Sequence, residues 1–500
     1  MPLPGLKLRL PLDVLLVVAS HAETHDLLTL MRVNRDLHDT CAKYVLQDGV
    51  HLRESEDIIS FLYFMRPGKR KRWRYLRALV FDGGHISSVV AAELARVIPR
   101  ATKLERLTFE RAEATLGAHP DLALAFASLP NVKHVRLEKA YQHTCRMLEA
   151  MHWPLESVSL NKTSYARTWK DTDKLERLHP ARLLQNSRAT LKFIKCQSWT
   201  ECNDVLPTYP VYPEVDTLIV EGVWCPRTAQ WAKCYPNLKR LVVGTIEDHF
   251  METDEGSLLE YADARRRNIE EHAHAEETAV WTTIESFRGG PLDLYLLGLP
   301  CRIQSISLSI CEESFRFFHE AMEVALPTHL SLHVSHSLLR GGATALPSSL
   351  RCPGMQKLDH LSLSFSFAIP DHDYESIETI LEKTLIAISE FSLRELTLSM
   401  DYHKFPYYAE SDDDGPPPSE PAPDPIELWF KKYDSKAIAQ QLFHGVSSLE
   451  RVNLSVGPPP TMHAYLRKTG GIVASSHVVC PEDEFRLDPF LFKMHHPFGL

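Results

Sequence analysis

The chain reads as an α/β solenoid of about thirteen irregular strand-helix units, preceded by a small all-helical module. Three observations carry this reading: a short apolar phrase that recurs along most of the chain, a second apolar period between its copies, and a first fifty residues of different character.

The phrase is an apolar residue, two variable ones, an apolar one, one variable and another apolar. It reads LRALVF from Leu76, LERLTF from Leu104, VKHVRL from Val132, LESVSL from Leu155, LKFIKC from Leu191, VDTLIV from Val215 and LKRLVV from Leu238. It resumes as IQSISL from Ile303, LDHLSL from Leu358, LRELTL from Leu393 and LERVNL from Leu449, with weaker copies at Ile284–Phe287 and Leu330–Leu332. Strand residues alternate between faces, so the fourth and sixth positions point together into a core. Each phrase is therefore a short strand. Between copies the period is helical: Ile86, Val89, Val90, Leu94, Val97 and Ile98 share one helix face before the next phrase starts.

The first three starts are 28 residues apart and later gaps are 23, 24 and 23, with one of 36. This spacing resembles the leucine-rich-repeat family in a degenerate form over residues 75–456, without the usual Asn or Cys after the strand. A single unit cannot bury its own apolar face, so units stack, and strands about 4.8 Å apart give a concave surface of about 60 Å along its arc. Such a surface suits large partners.

The first fifty residues begin Leu10-Pro11-Leu12-Asp13-Val14-Leu15 and continue through Asp26-Leu27-Leu28 and Val33-Asn34-Arg35. Proline opening a helix sacrifices no hydrogen bond, and Asp13 in the first turn suits the helix dipole. Over residues 8–46 the segment resembles an F-box, the helical module that docks adaptor proteins onto Skp1 in cullin-RING ubiquitin ligases. It departs from that pattern in the polar stretch from His21 to His25, and where Leu37 and His38 replace a tryptophan. The resemblance implies Skp1 contacts at Leu10, Pro11, Val14, Leu15, Leu27, Leu28 and Val33. It also implies an assembly with Skp1 and a cullin in cytoplasm or nucleus, a protein substrate, no cofactor and no chemistry by this chain. The competing expectation is that these helices only cap the open end of the solenoid. A signal peptide is disfavoured, because Asp13 falls inside what would be its apolar core.

Domain organisation follows: residues 1–50 form the helical module, 51–74 a helical and basic linker, 75–456 the solenoid and 457–500 a cap. Insertions fall at 247–280 and 406–426. Arg66 to Arg74 holds six basic residues in nine and is expected to be a solvated linker. Residues 262–277 favour a long exposed helix projecting from the array, with Arg267 and Glu271 spaced to pair. His272 and His274 do not share a helix face, which argues against a metal pair. The acidic, proline-rich 409–425 segment cannot bury itself. Phe485 to Phe492 are available to cover the last unit.

With 44% apolar residues the chain can bury a large core, and its formal charge of -10 disfavours general nucleic-acid binding. Ten scattered cysteines suit reduced, structural roles. No apolar run is long enough to span a membrane. No phosphate loop, nucleophile elbow or zinc-protease pattern occurs. The expected function is therefore binding. Variable phrase positions supply the substrate-facing candidates Arg106, Thr108, His134, Arg136, Ser157, Ser159, Lys239, Arg240, Ser305 and Glu395. Trp199, Trp224 and Trp231 are candidate anchors, although core packing explains them better.

Overall fold

The computed structural model describes residues 11–33, 35–66, 72–83, 86–162, 179–197, 209–223, 225–244, 255–275, 280–334, 350, 353–369, 376–404, 425–457 and 462–467. Leu10, Asn34, Trp199, Trp224, residues 409–424 and the Phe485–Phe492 tail lie outside them. The chain divides into two compact units, 1–303 and 304–500.

In the first unit, helices α1 (Leu12–His21), α2 (Thr24–Leu30) and α3 (Arg35–Asp48) precede strand β1 (Val50–Leu52) and helix α4 (Ser55–Met65). Strands β2 (Ala78–Phe81), β3 (Arg106–Phe109), β4 (His134–Ala140), β5 (Ser157–Lys162), β6 (Phe193–Gln197), β7 (Thr217–Glu221), β8 (Arg240–Gly244) and β9 (Thr283–Gly289) follow. From β1 to β9 each strand pairs in parallel with the next in sequence. The second unit carries β10 (Arg302–Ile310), β11 (His329–Val334), β12 (His360–Ile369), β13 (Glu395–Lys404) and β14 (Arg451–Val456), also parallel in order. There β15 (Met462–Arg467) turns back antiparallel to β14. Every predicted phrase falls on a strand, the two weaker copies included. This is a non-barrel parallel sheet with interspersed helices, the architecture of an α/β solenoid.

The phrase's apolar positions fill the core. Leu79, Leu107, Val135, Val158, Ile194, Leu218 and Leu241 are in register and buried, as are Phe81 and Phe109 one position pair further along. Phe81 and Phe109 stack 4.9 Å apart, and the Phe126 ring meets both edge-on. Phe126 belongs to α7 (Leu122–Ala127), one of the helices, with α5 (Ser88–Val97), α6 (Ala112–Leu116) and α8 (Gln142–Ala150), that cover this side. Helix α5 starts where the Ser87 hydroxyl accepts from Val90 N, and it buries Val90, Ala91, Leu94 and Val97. Val89 is 78% exposed, a correction to the predicted helix face, because it lies one residue and about 100° from Val90.

The missing Asn or Cys is replaced by another device. The residue just before a phrase reaches back to a carbonyl of the preceding unit: Asn131 to Thr102, Thr190 to Leu155, Asn237 to Pro213 and Ser448 to Phe391. These bonds satisfy carbonyls of the preceding unit, two of them part-buried at Leu155 and Phe391.

Two expectations, one for the linker and one for the first insertion, are corrected. Within the basic stretch Arg72 and Trp73 are buried, not solvated. The Arg72 guanidinium donates to Phe64 O at 2.5 Å and lies 3.2 Å from Asp39 Oδ1, tying α4 to α3. The helix Glu255–Ala273 does not project from the array either. Tyr261, Ala264, Asn268 and His272 form one buried face, packed on the helices Thr228–Cys234 and Pro291–Leu297. Asn268 Nδ2 donates to Pro226 O and Leu296 O, each at 2.8 Å, and its Oδ1 accepts from Thr228 N. The Thr228 hydroxyl donates to Leu297 O and lies 3.0 Å from His272 Nε2. Its single proton is thus committed, so His272 donates from Nε2, and Nδ1 is a buried acceptor without a partner among the described residues. Burial lowers the His272 pKa. Glu271 pairs with Arg227 rather than with Arg267.

Candidate protein-docking surfaces

The N-terminal module is built on a small core of Ala19, Leu27, Met31, Leu37, Cys41 and Ala42, with Leu15, Leu16 and Leu30 packed against it. Helix α1 thus spends its Leu15, Leu16 and Ala19 side on α2 and α3. Its other side carries three exposed valines, with the exposed His21 on the same stripe. Val14, Val17 and Val18 share that face, and they are 41%, 61% and 49% exposed. Leu12 at the helix start, Leu28 on α2 and Val33 beyond it add further exposed apolar surface. An exposed cluster of apolar side chains on a helix is a candidate contact surface.

The predicted contact residues divide accordingly. Pro11, Val14, Leu28 and Val33 are exposed, Leu15 is half-buried, and Leu27 is only 3% exposed, so it holds the module together instead of reaching outward. Val17 and Val18 share this exposed face but were not among the expected contacts. Their spacing from Val14 carries the signal, because positions i, i+3 and i+4 share a helix face.

The module is anchored by charge at its far side. Arg72 and His38 hydrogen-bond Asp39; burial alone would raise that carboxyl, but these bonds outweigh it and the group sits below its ordinary range.

On the sheet of the first unit, register brings Arg106, His134, Ser157 and Arg240 into one row through Phe193 and Thr217. His134 Nδ1 lies 2.8 Å from the Ser157 hydroxyl, and Arg240 contacts Asp216 at 3.2 Å. The adjacent row holds Thr108, Arg136 and Ser159. Arg136 sits between Glu138 at 2.9 Å and Glu110 at 3.8 Å. Burial pushes the Glu110 carboxyl up, against the pull of Arg136. Thr108 and Ser159 are buried and offer a partner almost no surface.

Lys239 belongs to a third row, at the second position of each phrase. Along the first unit it runs Arg77, Glu105, Lys133, Glu156, Lys192, Asp216, Lys239, Glu285, alternating in sign at every step. Each backbone N–H of the row after Arg77 donates to the preceding member's carbonyl. Arg77 meets Glu105 at 2.8 Å, Lys133 meets Glu156 at 2.8 Å, and Lys239 meets Glu285 at 3.4 Å. This ladder favours one stacking register. It was overlooked, though aligning the phrases by their second residue displays it.

In the second unit Ser305, His329, His360, Glu395 and Arg451 form a row. The His329 and His360 rings stack 4.1 Å apart. Glu395 Oε2 lies 3.1 Å from His360 Nδ1 and 2.6 Å from the Arg451 guanidinium. Beside it Ser307, Ser331, Ser362, Thr397 and Asn453 make an uncharged polar row.

Trp231 is buried, in keeping with core packing. Among the described residues no group of three or more His, Cys, Asp or Glu side chains is arranged to hold a metal, and no helix is long and apolar enough to cross a membrane. Polar, partly exposed sheet rows and an uncovered apolar helix face are suited to protein-protein interaction.

A scan against protein-family models matches none, and a search among curated proteins finds no sequence match.

Proposed function

We propose that this chain is the substrate-recognition subunit of a Skp1-cullin-F-box ubiquitin ligase, with a leucine-rich-repeat body. The N-terminal helices dock on Skp1, and the polar sheet rows take a protein substrate. The observation that carries this reading is the outward face of α1, where Val14, Val17 and Val18 lie opposite the residues that meet α2 and α3. A helix serving only as a cap would turn its apolar surface toward the strands it covers. The resemblance to the F-box implies partner contacts on this same helix.

The reaction itself belongs to the ubiquitin-conjugating enzyme held by the assembly. This chain contributes proximity and orientation, which lower a barrier without any reacting group from the adaptor.

The competing reading is a protein-interaction scaffold outside any ligase. Calorimetric titration of the full chain with purified Skp1 separates the two. Sub-micromolar binding is the expected result, in keeping with several apolar side chains leaving water together. A folded protein that gives no heat with Skp1 at two well-separated temperatures leaves the scaffold reading in its place.

A further inference from the structure

Helices α4 and α5 lie side by side in the first unit. Their starts are tied where Ser87 N donates to the Ser55 hydroxyl at 3.2 Å. Their later turns line one cleft, with Leu62 and Arg66 from α4 and Glu93, Arg96 and Arg100 from α5. Positions three, four and seven apart share a helix face, so Ile59 continues the stripe of Leu62 and Arg66, and Val89 continues that of Glu93 and Arg96.

The groove between the helices is therefore graded along its length. Toward the helix starts it carries exposed apolar side chains, Val89 at 78% and Ile59 at 38%, with Tyr63 beside them at 59%. Toward the helix ends it is cationic. Arg96 is engaged by Glu93, through bonds of 3.0 and 2.6 Å. Among the described residues neither Arg66 nor Arg100 has a salt-bridge partner, yet the fields of both reach Glu93 and help hold its carboxyl below the ordinary range, after the larger effect of the Arg96 bonds. Between Arg66 and Arg72 the sequence adds Lys69, Arg70 and Lys71 and no acid, so the sign of this end holds wherever those side chains stand.

We propose that this groove docks a partner protein through a segment that sets an apolar side chain over Ile59 and Val89 and acidic side chains among the arginines. Ile59 and Arg66 are seven residues apart on one helix, which sets the spacing at about 10 Å, and an extended segment covers that in about three residues. Charge complementarity selects the acids, because a basic segment would face like charge. A purely acidic segment would leave Ile59 and Val89 in water and forgo their burial. A nucleic acid fits less well, since its bases stack on open aromatic rings, whereas Trp73 is buried and Arg66 lies over the Tyr63 ring at 4.5 Å. The groove is made by helices other than α1, so it stands whether or not Skp1 binds there.

The test is selection of a phage-displayed random-peptide library on the full chain, followed by fluorescence anisotropy of each recovered peptide at low ionic strength. Peptides are expected that pair an apolar residue with acids about three positions away. The Arg66→Glu, Arg100→Glu variant and the Ile59→Ser, Val89→Ser variant, each altered at exposed positions, should bind them at least about tenfold more weakly, with melting temperatures like the parent's. Arg302→Gln, at an exposed position outside the groove, should change nothing. An empty selection overturns the proposal, as do peptides that all bind the parent and the arginine variant alike, or discriminating peptides that lack acids. Binding of oligothymidine at about 0.15 M salt that the arginine variant loses assigns the cations to nucleic acid and overturns it too. A parent dimer that either variant dissolves puts a second copy in the groove, with the same consequence. Both variants leave Val14, Val17 and Val18 in place, so the Skp1 titration is read separately.

Discussion

Replacing Val17 and Val18 by aspartate separates docking from folding. The two side chains are 61% and 49% exposed, and full burial of a valine is worth about 2 kcal/mol, so a partner covering them gains about 2 kcal/mol from the pair. Aspartates in their place would also be left desolvated and unpaired, at about 1–3 kcal/mol each. Together the loss exceeds about 3 kcal/mol, more than a hundredfold in affinity. Folding should be unaffected to within about 0.5 kcal/mol, because neither valine contributes to the Ala19, Leu27 and Cys41 core. Leu27→Ala is the converse: Leu27 is 3% exposed, and its truncation should cost about 2–4 kcal/mol of stability in the module. Calorimetry with Skp1 reads the first effect, and hydrogen exchange of α1 to α3 reads the second. If the double aspartate variant stays folded and binds Skp1 as tightly as the parent, the outward face of α1 is not the docking surface. If instead it unfolds the module, the assignment of inside and outside is wrong.

Three further outcomes follow from the same geometry. Asn268→Ala leaves Pro226 O, Leu296 O and Thr228 N without partners in a buried interface and should destabilise the first unit by about 3 kcal/mol in urea unfolding. Glu156→Lys puts three like charges side by side with Lys133 and Lys192, so it should lower the melting temperature at low salt and lose that effect near 1 M salt, where screening is almost complete. His272 is held neutral by burial, so its pKa is depressed in the folded state. The unfolded chain then binds the extra proton first; stability should be full above the ordinary value of 6.5 and fall below it, by at most about 1.4 kcal/mol per pH unit. His272→Asn should flatten that part of the stability profile measured by urea titration.

How much of this was legible depends on how local the signal is. The strands were, because a phrase such as LERLTF recurs at near-regular spacing; one copy fits any amphipathic segment, and the recurrence gives it its meaning. The alternating row from Arg77 to Glu285 was equally present in the sequence, and needed only the phrases set beneath one another. Other features are set by contacts far along the chain. Asn268 and His272 look like solvent-facing residues on a polar helix until the carbonyls of Pro226 and Leu296 and the Thr228 hydroxyl are brought to them.

The sequence by itself determined that α1 is a helix, that apolar residues stand on two of its sides, and that thirteen strand phrases follow it. Only the tertiary structure decided which of its two apolar sides is used internally. Ala19 and Leu27 belong to the module's core and Val17 and Val18 to its surface, because periodicity specifies which residues share a face, whereas the helices packed against that face determine whether it meets protein or water.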